Sequence, residues 1–207
     1  MSEIKVNGIA MTNPETGSVA KAQHSPPTVT LMGRVAANVL GHAGRLGPGG
    51  KTDLHFTLII DDAYSGIFGI DGQFAVNTGL SIDRYDGSSG TLGNFAVIRS
   101  NFYRNELPSD ALVQMKVDPP AGMSVQKFAQ ELIRNAHNFA SFTAPYSVPK
   151  KIVMETMVEG EYNSSSYIAG LLRSVMGYVP ALPTPGYQRP GWDSPIPASY
   201  FKGEALR

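Results

Sequence analysis

Strand patterns and helix patterns occupy different parts of this chain, and their order limits the folds that it can adopt. The most apolar run, LHFTLII over residues 54–60, has the length and composition of a buried strand, and a turn signal follows it at Asp61 and Asp62. Shorter strand patterns come next, at residues 66–70, 74–77, 80–85, 94–98 and 111–117. The main helix patterns follow these strands, which predicts a fold of the α+β class.

Two helices are predicted after the sheet region. In the first, Ser124 is a favourable N-cap, and apolar residues at helical spacing follow it as far as Phe139. The second is predicted to begin near Asn163 and to end at Gly177, a residue suited to a helix C-terminus. One more helical pattern lies earlier, over residues 29–40.

The composition indicates one folded domain with an arm at each end. Of the 207 residues 42% are hydrophobic and 16% are charged, so the chain can bury a core. Residues 1–30 are polar and are expected to form an N-terminal arm, and residues 31–180 the domain. Residues 181–207, rich in Pro and Gly, are expected to form an ordered strap without regular structure, anchored by Tyr187 and Trp192. A disordered tail is the alternative.

Charge and residue counts exclude several classes of protein. The 17 basic and 17 acidic side chains give no basic surplus, so no nucleic-acid partner is expected. The chain has no cysteine and no histidine pair at metal-ligand spacing, so we expect neither a metal site nor a cofactor. No apolar run approaches the roughly 20 residues of a membrane-spanning helix, and no signal peptide is visible. We therefore expect a protein made in the cytosol without a transmembrane segment.

A serine-rich segment at the start of the second helix has the residue types of a nucleophilic site. Asn163 as N-cap would place Ser164 in the first helical turn, where backbone N–H groups are unpaired and the helix dipole is positive. Such a position stabilises an alkoxide or an oxyanion, so we assign the oxyanion site to Asn163 and Ser165. The alternative is that these residues only cap the helix.

A hydroxyl nucleophile needs a base, and His55 is the best candidate. It lies within the apolar strand pattern, and an imidazole held on a strand can serve as a general base. The alternative is a histidine satisfied within the core. A third polar group should orient the imidazole, and Asp71 and Gln73 both lie where the next strand could supply it. The sequence leaves the choice between them open.

The strand that bears His55 and the later segment Asn163-Ser164-Ser165-Ser166-Tyr167 together resemble a known family. This order is similar to the circularly permuted branch of the NlpC-type papain-like superfamily, the lecithin:retinol acyltransferase-like branch. The resemblance implies a permuted papain-like domain, with an antiparallel sheet packed on helices. It implies that Ser164 stands where the family has its nucleophilic cysteine and that His55 is the base. A second histidine expected after His55 is absent, so the third catalytic residue is not matched.

Serine in the position of the family's cysteine has three interpretations. The protein is a native serine enzyme, or a cysteine has been replaced, or the domain is a binding module without activity. The opening of the second helix, followed by Pro190-Gly191-Trp192, resembles C-terminal toxin modules of bacterial polymorphic toxins and type VI secretion effectors. This second resemblance favours a native serine. It also implies an antibacterial effector, injected into target cells, with a cognate immunity protein as partner.

The resemblance leaves three functions open. The first is an acyl hydrolase or acyltransferase that acts on ester bonds of lipids. The second is an amidase or peptidase that acts on peptidoglycan. The third is a non-catalytic binding module. Apolar side chains exposed near Ser164 would favour lipid, and a groove with a carboxylate would favour peptidoglycan.

Overall fold

A computed structural model describes residues 5–6, 9–10, 25–35, 52–62, 66–76, 96–104, 111–139, 144–145, 162–182 and 186–203. Its strands are β1 (Lys5–Val6), β2 (Ile9–Ala10), β3 (Thr28–Val35), β4 (Thr52–Asp62), β5 (Gly66–Val76), β6 (Ala96–Arg104), β7 (Val113–Lys116) and β8 (Tyr187–Gln188). Its α-helices are α1 (Val125–Asn138) and α2 (Ser164–Met176), and a short 3-10 helix covers Ala198–Phe201.

Five of these strands form one antiparallel sheet, in the order β6-β5-β4-β3-β7. The strand β8 pairs in parallel with the start of β4, and β1 pairs with β2 in a separate two-stranded ribbon. A mixed fold of an antiparallel sheet and two helices agrees with the predicted α+β class.

Alternation along β4 gives the sheet an apolar face and a face that carries His55. Leu54, Phe56, Leu58 and Ile60 are buried in the hydrophobic core, and successive side chains of a strand point to opposite faces. The two helices complete this core, with the side chains Phe128, Leu132, Tyr167, Ile168, Leu171 and Leu172. The sheet therefore presents His55 on the face opposite its own apolar neighbours.

The strand β4 changes partners along its length, and α2 packs where the change occurs. Its pairing with β5 runs from Leu58, opposite Ile70, to the end of the strand, while its first two residues pair with β8. At Gly72 on β5, an added Cβ would lie 2.6 Å from the Cβ of Tyr167, so only glycine lets the helix approach this closely. The first turn of α2 thus contacts β5 and lies close to His55.

The structure confirms both predicted helices and their caps. Ser124 Oγ accepts a hydrogen bond from the Lys127 N–H at 3.2 Å, as expected of an N-cap. Asn163 caps α2, and Gly177 ends it in the left-handed conformation, with a φ of 83°.

The helix predicted over residues 29–40 is wrong, because residues 28–35 form the strand β3. Buried and more exposed residues alternate there, with Val29, Leu31 and Gly33 buried, and this period of two marks a strand. Residues 36–40 lie outside the described residues. The expected boundary between arm and domain, after residue 30, falls inside β3.

Other strand predictions differ in length. The patterns at 66–70 and 74–77 belong to one strand, β5, which is described as far as Val76. The strand β6 is longer than predicted and ends at Arg104, and β7 lies within the predicted range 111–117. The pattern at 80–85 lies outside the described residues.

The strap contains short regular structure, against the prediction. Tyr187 lies in β8, and a 3-10 helix begins at Ala198. Trp192 is buried, and its indole N–H donates to the Pro180 carbonyl at 3.2 Å. Pairing with a distant strand thus supplies the order that the proline-rich sequence does not predict locally.

Candidate active site

The first turn of α2 holds Ser164 in a fixed position. The Asn163 side chain accepts hydrogen bonds from the N–H groups of Ser165 at 2.9 Å and Ser166 at 3.0 Å. In return, the Asn163 N–H donates to Ser166 Oγ at 3.2 Å, which completes a capping box. Ser164 is the first helical residue, and capping hydrogen bonds fix Asn163 before it and Ser165 and Ser166 after it.

The cap also decides which N–H groups remain for a ligand. A helix leaves the N–H groups of its first turn without intrahelical partners, and Asn163 takes those of Ser165 and Ser166. The predicted oxyanion role of the Ser165 N–H therefore competes with its capping bond. The Ser164 N–H is the first-turn donor that the cap does not use.

His55 and Ser164 meet although 109 residues separate them in the sequence. His55 Nδ1 lies 2.8 Å from Ser164 Oγ, and the imidazole is 18% exposed. This distance lies within the range over which a base can take a hydroxyl proton directly. His55 is thus not a histidine enclosed in the core, which was the alternative interpretation of the sequence.

Asp71 occupies the third position. Its Oδ2 lies 3.3 Å from His55 Nε2, and its side chain is 1% exposed. The register of β4 and β5 explains the placement: Leu58 faces Ile70, so the next residue of β5 lies on the face of the sheet that carries His55. A buried carboxylate there favours the tautomer with the proton on Nε2, which leaves Nδ1 free to accept the proton of Ser164.

Gln73, the other predicted orienting residue, has a different partner. It lies on the same face of β5, but its Oε1 accepts a hydrogen bond from Arg99 Nη2 at 3.0 Å. The register sets Gln73 opposite Arg99 on β6, so β6 rather than β4 supplies its contact. The structure brings Ser164, His55 and Asp71 together and leaves Gln73 beside them.

The two imidazole nitrogens are used in the opposite sense from the triad of trypsin-like serine proteases. There Nε2 faces the serine and Nδ1 the aspartate. Here Nδ1 faces Ser164 and Nε2 faces Asp71. The two arrangements are chemically equivalent. A neutral imidazole carries a proton on only one nitrogen, so the nitrogen facing the aspartate can carry it while the nitrogen facing the serine accepts the serine proton.

A hydrogen-bonded pair of hydroxyl groups, Tyr167 on α2 and Ser100 on β6, was not predicted from the sequence. Ser100 Oγ donates to the Ala136 carbonyl at 2.7 Å, so it accepts the hydrogen bond from the Tyr167 hydroxyl. Burial raises the pKa of Tyr167 above its ordinary value, the Ser100 hydrogen bond opposes this rise, and the charge of Asp71 adds to it. Tyr167 therefore stays neutral and fills the space beside Gly72. Nothing in the local sequence around Ser100 indicates this role.

The raised pKa of Tyr167 predicts a specific loss of stability in alkali. An unfolded chain deprotonates this tyrosine near pH 10.0, whereas the folded protein keeps its proton to higher pH. The stabilisation is complete below about pH 10 and falls by up to about 1.4 kcal/mol per pH unit above it. We expect Tyr167→Phe to remove this loss, measured by urea unfolding between pH 8 and 12. Tyr178→Phe, at an exposed tyrosine, is the matched control. The same alkaline slope in Tyr167→Phe and wild type would contradict the assignment.

Among the described residues, two features that other kinds of site would need are absent. In that part of the chain, no group of three or more His, Asp or Glu side chains could hold a metal ion. No helix there is long and apolar enough to span a bilayer.

Comparison of the chain with protein-family models, with curated proteins and with solved structures finds no match. The resemblance to the permuted papain-like branch therefore stays a prediction.

Proposed function

We propose that the protein is a serine acyl hydrolase or acyltransferase. The observation that carries this proposal is the 2.8 Å contact between Ser164 Oγ and His55 Nδ1, with Asp71 on the other ring nitrogen. A nucleophile, a base within hydrogen-bond reach and a group that orients the base are the three parts that covalent acyl transfer needs.

The proposed reaction has two halves. Ser164 Oγ attacks the acyl carbonyl while His55 Nδ1 takes its proton, and the Asp71 carboxylate stabilises the imidazolium. The Ser164 N–H, at the positive end of the α2 dipole, would donate to the oxyanion. His55 then protonates the leaving alcohol, and an acyl-serine remains. Water, or an acceptor alcohol, attacks this ester with His55 as base and releases the acid or the transferred acyl product.

The surroundings of His55 favour a lipid ester over a peptide. Arg34 on β3 lies opposite His55 in the register, on the same face of the sheet, and forms no ion pair among the described residues. Leu112, 48% exposed, donates its N–H to the Gly33 carbonyl at 2.8 Å and so lies alongside Arg34. A cation opposite the base, and an exposed apolar side chain beside that cation at the next strand, fit a substrate with an anionic head and an acyl chain.

The biological setting of the proposal rests on the sequence resemblance. The opening of α2 and the Pro190-Gly191-Trp192 segment resemble antibacterial effector modules. We propose that the protein acts on lipids of target bacteria after delivery by a specialised secretion system, and that an immunity protein protects the producer.

The test compares two substrates with the same preparation of protein. Phospholipid vesicles and purified peptidoglycan are incubated separately, and the products are identified by mass spectrometry. We expect fatty acid and lysophospholipid from the vesicles. Cleaved stem peptides from peptidoglycan would instead show an amidase. Failure to act on either substrate, with the fold intact, would favour the binding module.

Replacing Arg34 by glutamine tests the proposed recognition of an anionic headgroup. Because a charge-assisted hydrogen bond contributes about 1.5–3 kcal/mol, we expect kcat/KM on anionic vesicles to fall about 10-fold or more, mainly through KM. The fall on zwitterionic vesicles should be smaller. Arg173→Gln, at an exposed arginine in the last turn of α2, is the matched control. Equal losses on both vesicle types would contradict the role of Arg34.

A further inference from the structure

The strap contacts the residues on both sides of Ser164. Asn163 Nδ2 donates to the Pro190 carbonyl at 2.9 Å, and Ser166 Oγ donates to the Gly191 carbonyl at 3.0 Å. The Ile196 N–H donates to the Ser166 carbonyl at 3.0 Å. Asn163 and Ser166 are the two members of the capping box that fixes the first turn of α2. The strap is thus hydrogen-bonded to the capping residues that fix the position of Ser164.

The same strap contacts the strand of the base. Its two β8 residues pair with Thr52 and Asp53, which begin β4 and lead into His55. The ring of Trp192 packs against Phe56, the residue after His55, with the ring centroids 4.9 Å apart. Trp192 is only 2% exposed, so this contact is fully part of the core. One segment therefore contacts β4 before and after His55 as well as the cap of α2.

The strap packs against the cap of α2 so closely at Gly191 that a side chain does not fit there. Gly191 has a φ of 87°, which favours glycine, and an added Cβ would lie 2.2 Å from Asn163 Oδ1 and 2.6 Å from Ser166 Oγ. Asn163 Oδ1 is the acceptor of both capping bonds. Any side chain at residue 191 must therefore displace the strap or the cap.

We infer that the strap is a positioning element of the active site, and that Gly191 and Trp192 are positioning residues. This inference rests on the proposed function. No strap residue takes a chemical role in the proposed reaction; the strap acts by keeping the base and the nucleophile at 2.8 Å. A displacement of about 1 Å between reacting groups lowers a rate about 100-fold. Displacement of the strap should therefore slow the reaction about 100-fold while the rest of the domain stays folded.

Two glycines of the strap give a matched pair of variants. Gly191→Ala introduces a Cβ into the cap, whereas Gly186→Ala has the same φ of 87° but no described atom within 4 Å of the added Cβ. The backbone strain is alike in both, so a difference between them reports the contact with the cap. The single tryptophan of the chain, Trp192, reports strap docking through its fluorescence independently of activity.

The experiment measures how fast a fluorophosphonate probe labels Ser164 in variants of the whole 207-residue chain. In this reaction the Ser164 oxygen bonds to phosphorus, the phosphorus–fluorine bond breaks, fluoride leaves and His55 takes the proton. We expect Gly191→Ala to label about 100-fold more slowly than wild type, with red-shifted Trp192 emission and unchanged far-UV circular dichroism. Gly186→Ala should label within about 3-fold of wild type, because no contact in the site changes.

A urea titration of the wild type covers the case in which Gly191→Ala does not fold. Labelling should be lost together with the shift of Trp192 emission, at lower urea than the loss of helix signal. Persistent labelling after Trp192 becomes exposed would overturn the inference, as would normal labelling of a folded Gly191→Ala.

Failure of the proposed function gives a different result. A wild type that never labels contradicts the proposed chemistry. The position of His55 is then followed through the NMR chemical shifts of its ring nitrogens. Their shifts should change in Gly191→Ala and stay unchanged in Gly186→Ala if the strap sets the position of His55 against Ser164. Identical shifts in the two variants would overturn the inference.

Discussion

Replacing Ser164 by alanine is expected to lower the rate of ester hydrolysis by about 10,000-fold or more while the protein stays folded. Ser164 Oγ is the atom that His55 Nδ1 contacts, and without it no acyl-enzyme can form. The side chain is partly exposed and takes no part in the capping box, so its loss should change the free energy of unfolding by less than about 0.5 kcal/mol. Initial rates on phospholipid vesicles, together with thermal unfolding, measure both effects.

Ser165→Ala is the matched control for this prediction. It makes the same chemical change one residue later, at a buried hydroxyl that donates to the Leu54 carbonyl at 3.4 Å. We expect it to cost about 0.5–1.5 kcal/mol of stability and to retain activity within about 10-fold of wild type. A folded Ser164→Ala protein that hydrolyses at a rate near that of wild type would rule out Ser164 as nucleophile.

The helix ends were predictable because capping is local chemistry. Asn163 and Ser124 accept bonds from N–H groups two or three residues away, and Gly177 adopts a conformation that glycine tolerates best. The pairing of Ser164 with His55 is not of this kind. No local pattern relates two residues 109 positions apart. The pair was suggested by the need of a hydroxyl nucleophile for a base and by the family resemblance, and neither gives the geometry of their contact.

The choice between Asp71 and Gln73 needed the register of the sheet. Both lie on the His55 face of β5, because they are two residues apart and strand side chains alternate. Beyond Ile70, where its pairing with β4 ends, β5 continues beside β6. Gln73 then meets Arg99, while Asp71 remains within reach of His55. A single sequence does not show where the pairing of β5 with β4 ends.

The error at β3 has the same origin. Apolar residues near its end have helical spacing, but pairing with β4 on one side and β7 on the other makes residues 28–35 a strand. Pairing with neighbouring strands routinely overrides local preference. In the strap, contacts with β4 and the cap of α2 likewise order a segment whose prolines indicate only irregular structure.

Replacing Asp71 by asparagine is expected to lower the activity without lowering the stability of the fold. The amide carries no charge to stabilise the imidazolium, and it can hold the imidazole in the tautomer with the proton on Nδ1, which cannot accept the proton of Ser164. We expect kcat to fall about 1,000- to 10,000-fold, measured on vesicles at neutral pH. Gln73→Ala, two residues along β5, is the control and should stay within about 3-fold of wild type, because Gln73 contacts Arg99 instead.

Stability should not fall with the activity of Asp71→Asn. The carboxylate is 1% exposed, its one described hydrogen bond is the 3.3 Å contact with His55, and its Oδ1 has no partner among the described residues. A buried charge with so few partners costs folding free energy, and a neutral isostere relieves that cost. We therefore expect the midpoint of thermal unfolding to stay the same or rise. A variant that loses activity only in proportion to a lower unfolding midpoint would show that Asp71 supports the fold and has no part in orienting His55.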